Sequence, residues 1–183
     1  MFERCTLDID LSVRHLCTKP YHNHPKGCPK YGKSILCPPE APVITTIFNL
    51  QLPVYAIWTS YDLRLHTNRL KAKHPSWTWP QLVCCLYWQG SARRALRQEC
   101  REFVEWRKRR DSIDRSLPAM VVSYCPEANG INVTNTMASL GIKLEWPPVN
   151  IAYQVAIAGY RKEVIADTRS LPVASSFLSP APT

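Results

Sequence analysis

No run of eighteen apolar residues occurs in this chain of 183, so the sequence offers no membrane-spanning helix. The opening Met-Phe-Glu-Arg-Cys-Thr-Leu-Asp-Ile-Asp puts acids where a secretory leader needs an apolar core, and a cytoplasmic location is expected. Gly-x-Ser-x-Gly, the P-loop, His-Glu-x-x-His and Gly-x-Gly-x-x-Gly are all missing. Their absence removes the motif-bearing hydrolases, nucleotide-phosphate enzymes, zincins and dinucleotide binders. The Cys-x-x-x-Cys-x-x-Cys triplet of most radical S-adenosylmethionine enzymes is missing too. Only six glycines are present, against sixteen prolines and eight cysteines.

Apolar residues make up 45%, enough for a core and far from a disordered composition. In a cytoplasmic chain thiols stay reduced, so eight cysteines point to metal or redox chemistry before disulfides. The net charge of +9 is concentrated: residues 61–115 carry thirteen basic and six acidic side chains, whereas 116–183 carry four of each. One domain is expected over 1–168, followed by a Ser/Pro/Ala-rich tail over 169–183.

Alternation of Leu7, Ile9, Leu11 and Val13 with polar residues predicts a first strand over 7–16. A short helix over 42–50, a buried strand over 54–60 and a basic helical segment over 62–73 follow. Residues 74–78 supply an N-cap for a helix reaching 88. The clearest helix spans 91–110, with Ala92, Leu96, Cys100, Phe103 and Trp106 on one apolar face and Arg93, Arg97, Arg101 and Lys108 on another. Strands over 119–124, 142–144 and 153–159 and a helix over 133–140 complete the pattern. Alternation of strands and helices predicts an α/β or α+β fold with a single mixed, partly parallel sheet and flanking helices.

Between 17 and 39 no periodicity survives. Five prolines (20, 25, 29, 38, 39) and Gly27 and Gly32 make an irregular loop, long enough to need a functional reason for its order. It holds Cys17, Cys28 and Cys37 at C-x10-C and C-x8-C spacing, with His22, His24, Tyr21 and Tyr31. These are neither zinc-finger nor ferredoxin spacings. A bound metal would order a segment with little apolar surface of its own. The stretch Gly-Cys-Pro-Lys-Tyr-Gly-Lys-Ser-Ile-Leu-Cys-Pro-Pro at 27–39, entered by Val-Arg-His-Leu-Cys at 13–17, resembles a family of uncharacterised proteins described only as predicted metal-binding. Glu127-Ala-Asn-Gly-Ile-Asn-Val is similar to that family's Glu-Ala-x-Gly-Ile-Asp-Val segment. The resemblance implies metal ligation by the loop cysteines. Members carry further clustered cysteines before the second segment, where this chain has Cys125 alone.

The expected ligands are therefore Cys17, Cys28 and Cys37, with Cys125 as the completing thiol and His22, His24 or Cys5 as alternates. Were the strands preceding Cys17 and Cys125 parallel, both thiols would emerge on one sheet edge. Cys84, Cys85 and Cys100 read as core. Thiolates suit an iron–sulfur cluster or zinc, and long irregular spacings favour the cluster, of the four-iron type if four cysteines bind. Three ligands would leave an open position for substrate, and four would close the site. Glu127 reads either as an acid–base group or as a helix cap. The functional expectation is redox or sulfur-handling chemistry with a redox partner protein. The alternative is a zinc-stabilised module that binds nucleic acid or protein through the 91–110 arginines and the aromatics Trp77, Trp79, Tyr87 and Trp88.

Overall fold

The computed structural model describes residues 1–20, 25–29, 31–112 and 116–163. The expected tail at 169–183, and His22 and His24, lie outside the described residues. Strands β1 (Phe2–Cys5), β2 (Val54–Asp62), β3 (Met120–Ser123) and β4 (Ile151–Tyr160) form one four-stranded sheet in the order β1-β2-β4-β3. All three pairings are antiparallel, in registers that set Phe2 opposite Ile57, Tyr55 opposite Ala158 and Ser123 opposite Ile157. This corrects the expectation of a partly parallel sheet. Strand–helix alternation implies parallel neighbours only when each helix is a crossover between adjacent strands. Here the central pair, β2 and β4, is separated by nearly ninety residues of chain containing every longer helix and β3.

The sheet is buried on both faces because the odd and even positions of β2 and β4 are both apolar. Val54, Ala56 and Trp58 join Ile157 and the short helices α1 (Ile44–Ile47) and α5 (Val133–Ala138) on one side, around Ile44, Phe48, Ile131 and Met137. Ile57, Ala156 and Ala158 face the other side, where the long helix α4 (Gln89–Asp111) lays down Leu96, Cys100 and Phe103. Alanines at 156 and 158 leave room for those larger helix side chains. The predicted apolar face of α4 is the buried one, and Cys100 is fully buried in it. At the helix end, Arg107 bonds Asp111 at 2.8 Å and the Tyr160 hydroxyl at 2.5 Å, while that hydroxyl donates to Asp111 at 2.6 Å, tying α4 to β4.

Helix α2 (Leu63–Lys73) forms where predicted, with the Asp62 carboxylate accepting from the Leu65 N–H at 2.7 Å. The helix expected to reach 88 is shorter: α3 (Trp79–Leu82), capped by Thr78 and Gln81, gives way to a 3-10 turn at Cys85–Tyr87. Consequently Cys85 is exposed and Cys84 half-buried, not the core thiols expected. The 142–144 strand does not form. No helix among the described residues is long and apolar enough to cross a membrane.

Tyr61, at the end of β2, stacks on Trp88 and meets His66 Nδ1 at 3.0 Å, while His66 Nε2 is buried with no partner. Burial lowers the His66 pKa, so the unfolded chain takes up a proton there before the folded one does. Stability is therefore expected to fall as pH drops through the ordinary histidine range, about 6.5, towards the depressed folded value. Urea midpoints measured on either side of that range check it. In His66→Asn the His66 share of the slope should vanish.

Candidate metal centre

The predicted first strand is replaced by two different structures. Residues 2–5 form β1, and Leu11–Thr18 form a 3-10 helix started by Asp10, whose carboxylate accepts from the Ser12 N–H at 2.8 Å. An aspartate two residues before a short polar turn is a capping signal, and it outweighed the alternation. Between them, residues 8–11 run antiparallel to 130–132. Asp10 N–H donates to Gly130 C=O at 2.9 Å, Asn132 N–H donates to Asp8 C=O at 2.8 Å, and Ile9 bridges Ile131. The Asp8 carboxylate accepts from the Asn135 amide at 2.6 Å. This pairing lays the 3-10 helix holding Cys17 against the 3-10 turn Pro126–Asn129 that follows Cys125.

The Cys17 and Cys125 turns thus lie against each other, though not by the route expected: β1 and β3 occupy opposite edges and run antiparallel to each other. Cys28 joins through its N–H, which donates to the Cys17 carbonyl at 2.7 Å. The Cys37 carbonyl accepts from Ala41 N–H at 2.9 Å, and Gly32 N–H closes the loop onto the Pro38 carbonyl at 2.9 Å. The loop exit is held from below by Arg14, whose guanidinium donates to the carbonyls of Pro39 at 2.9 Å and Ala41 at 2.6 Å.

Burial is the first cause that raises the Cys17 thiol, followed by negative charge on Cys28, Cys37, Glu127 and Cys125. Cys125 is raised by burial, then by Glu127, and is drawn down by Arg93. The Glu127 carboxyl is itself raised by burial, although the residue as a whole is exposed. Charges act on one another over roughly 10 Å, about one Debye length. Four cysteines and a carboxylate from sequence positions 110 residues apart therefore occupy one locality. Among the described residues, however, no three His, Cys, Asp or Glu side chains are grouped so as to hold a metal ion.

The other expected participants separate. Cys5 sits in β1 with its thiol raised to about 11 by burial and bonded to the Ala56 backbone, apart from the cluster. Glu127 does not cap α5, a role taken by Asn132, which accepts from the Asn135 N–H at 3.1 Å. All eight cysteines are free thiols.

Asn129 is a positioning residue. It is buried, accepts from the Ser123 hydroxyl at 2.5 Å and donates to the Pro42 carbonyl at 2.7 Å, joining β3, the Cys125 turn and the loop exit. Replacing Asn129 by Ala strands both partners and is expected to cost about 2 kcal/mol in urea unfolding. A cost below about 0.5 kcal/mol would show that water takes over both bonds.

No family model, curated protein or solved structure matches this chain.

Proposed function

We propose that Cys17, Cys28, Cys37 and Cys125 ligate an iron–sulfur cluster and that the protein carries out redox or sulfur-handling chemistry there. The observation that carries the reading is the convergence of the Cys17 and Cys125 turns through the 8–11 and 130–132 pairing, with Cys28 bonded back to Cys17. Donor chemistry fits: thiolates bind iron and zinc, and the repulsion among these thiols and Glu127 is what a cation among them relieves. The long, irregular C-x10-C and C-x8-C spacings favour a cluster, whose irons are spread over several ångströms, over zinc. When bound, the cluster would accept and return electrons. The chain's own residues hold its ligands (Arg14, Asn129, Gly27), and Glu127, two residues from Cys125, would serve as an acid–base group beside it.

Protein purified without air is expected to be brown and to contain iron and acid-labile sulfide in stoichiometric amounts. Cys17→Ser, Cys28→Ser and Cys37→Ser should each lose most of both, with Cys125→Ser deciding between a closed and an open site. A colourless protein with one tightly held zinc would overturn the reading in favour of a zinc-stabilised binding module.

A further inference from the structure

Helix α4 packs across β3 so that Cys100 meets Tyr124, the residue between β3 and Cys125. On the ridge beside Cys100 stand Arg93, Arg97 and Arg101, each exposed. Four residues of helix separate each from the next, so the row is about 12 Å long. Among the described residues none of the three forms an ion pair, whereas Glu99 is engaged by the N-terminal ammonium and Arg107 by Asp111. Arg93 acts electrostatically on Cys125, and Arg97 and Arg101 act on Tyr124, a residue 46% exposed. The row is therefore a strip of unneutralised guanidinium charge running up to the Cys125 side of the cluster, with one exposed aromatic residue along it.

We propose that Arg93, Arg97, Arg101 and Tyr124 form the docking surface for an acidic redox protein that exchanges electrons with the cysteine site. The proposal rests on the cluster reading above. A convex helix ridge suits the face of another protein and does not enclose a small molecule. A strip this short, bordered by Glu102 and Glu105 on the same helix, interrupts the continuous groove that a nucleic-acid strand follows. Small, charge-steered contacts with an aromatic at the centre are the kind that transient electron-transfer pairs use. Docked there, a reduced one-electron carrier would be oxidised by one electron while the site gains one, with no bond made or broken.

The test uses full-length protein purified without air, a plant-type [2Fe–2S] ferredoxin as the acidic carrier, and a single-stranded oligouridylate. Binding is measured by titration calorimetry at low and high salt. Ferredoxin binding that weakens with salt, and that weakens at least about tenfold in Arg93→Glu/Arg97→Glu/Arg101→Glu, is expected. The control Arg109→Glu/Arg110→Glu makes the same net-charge change as Arg97→Glu/Arg101→Glu, but off the row's face at the far end of α4, and should retain binding where the latter loses it. Equal loss in both variants would mean that only net charge matters and would overturn the docking surface. So would absence of ferredoxin binding, or binding of the oligouridylate alone. Iron and sulfide assays on the same samples separate the two readings: salt-sensitive docking by a protein free of iron sinks the cluster and the electron exchange but leaves the surface, whereas iron without docking sinks the surface alone.

Discussion

Phe103→Ala is expected to lower the unfolding free energy by about 3–5 kcal/mol. Phe103 is 2% exposed at the centre of the α4–sheet contact, with ring centroids 4.7 Å from Phe2, 5.1 Å from Tyr55 and 5.9 Å from Trp106. It is thus the side chain through which α4 holds both β1 and β2. Removing the ring leaves a cavity beneath a helix whose neighbours, Ala156 and Ala158, are too short to reach into it. Urea denaturation followed by tryptophan fluorescence measures the loss. A cost under about 1.5 kcal/mol would mean that Phe2 and Trp106 collapse into the space and that α4 is held mainly by its Arg107–Asp111–Tyr160 end.

If the proposed cysteine site holds metal, Gly27→Ala is expected to strip it while leaving that core intact. Gly27 has φ +80°, and a methyl group there would lie 2.6 Å from the Cys17 carbonyl oxygen and 2.8 Å from the Thr18 carbonyl carbon. Both are backbone atoms, so relief requires the 17–18 segment and the 27–28 segment to part, breaking the hydrogen bond that brings Cys28 to Cys17. The left-handed conformation alone costs about 1–2 kcal/mol with a side chain, and the clash adds to it. Iron content is expected to fall at least about tenfold, with the urea midpoint of the core moving little. Gly32→Ala is the comparison: its φ is +66° but nothing lies within 4 Å of the added methyl. It should show the conformational cost without the loss of metal. Equal metal loss in the two variants would refute the close approach of Cys17 and Cys28 as the organising contact.

Much of the architecture was legible because apolar spacing is a local signal. The α4 face through Ala92, Leu96, Cys100 and Phe103, the all-apolar β2 and the α2 start at Asp62 were all readable from residue order. The first strand was misread at residues 7–16. Its alternation is real only as far as Ile9, after which the Asp10 side chain turns the backbone into a 3-10 helix and leaves Leu11 and Leu16 exposed. Cys84 and Cys85 have apolar neighbours in sequence, yet they fall in a tight turn after a four-residue helix, where sequence neighbours need not be spatial ones.

In the candidate site, the cysteine identities and the glycines that permit tight turns could be read from the chain. The contact that lays the Cys17 turn against the Cys125 turn could not. The expected route, two parallel strands ending on one edge, does not exist. The Cys17 and Cys125 turns are brought together by an irregular pairing of residues 8–11 with 130–132 and by Asn129 reaching the Pro42 carbonyl. Arg14 and Asn129 carry no sequence signal, since their partners are backbone carbonyls that look alike at every position.

The scarcities and surpluses of the sequence thus determined which classes were excluded, where the basic charge lies and which loop needs an organising group, because composition and periodicity are sums over neighbouring residues. Only the tertiary structure decided that the sheet is wholly antiparallel, that Cys5 stands apart from the other thiols, and that the arginine ridge runs up to Cys125. Those are relations between segments from about thirty to about a hundred residues apart, set by packing and hydrogen-bond satisfaction across the folded chain.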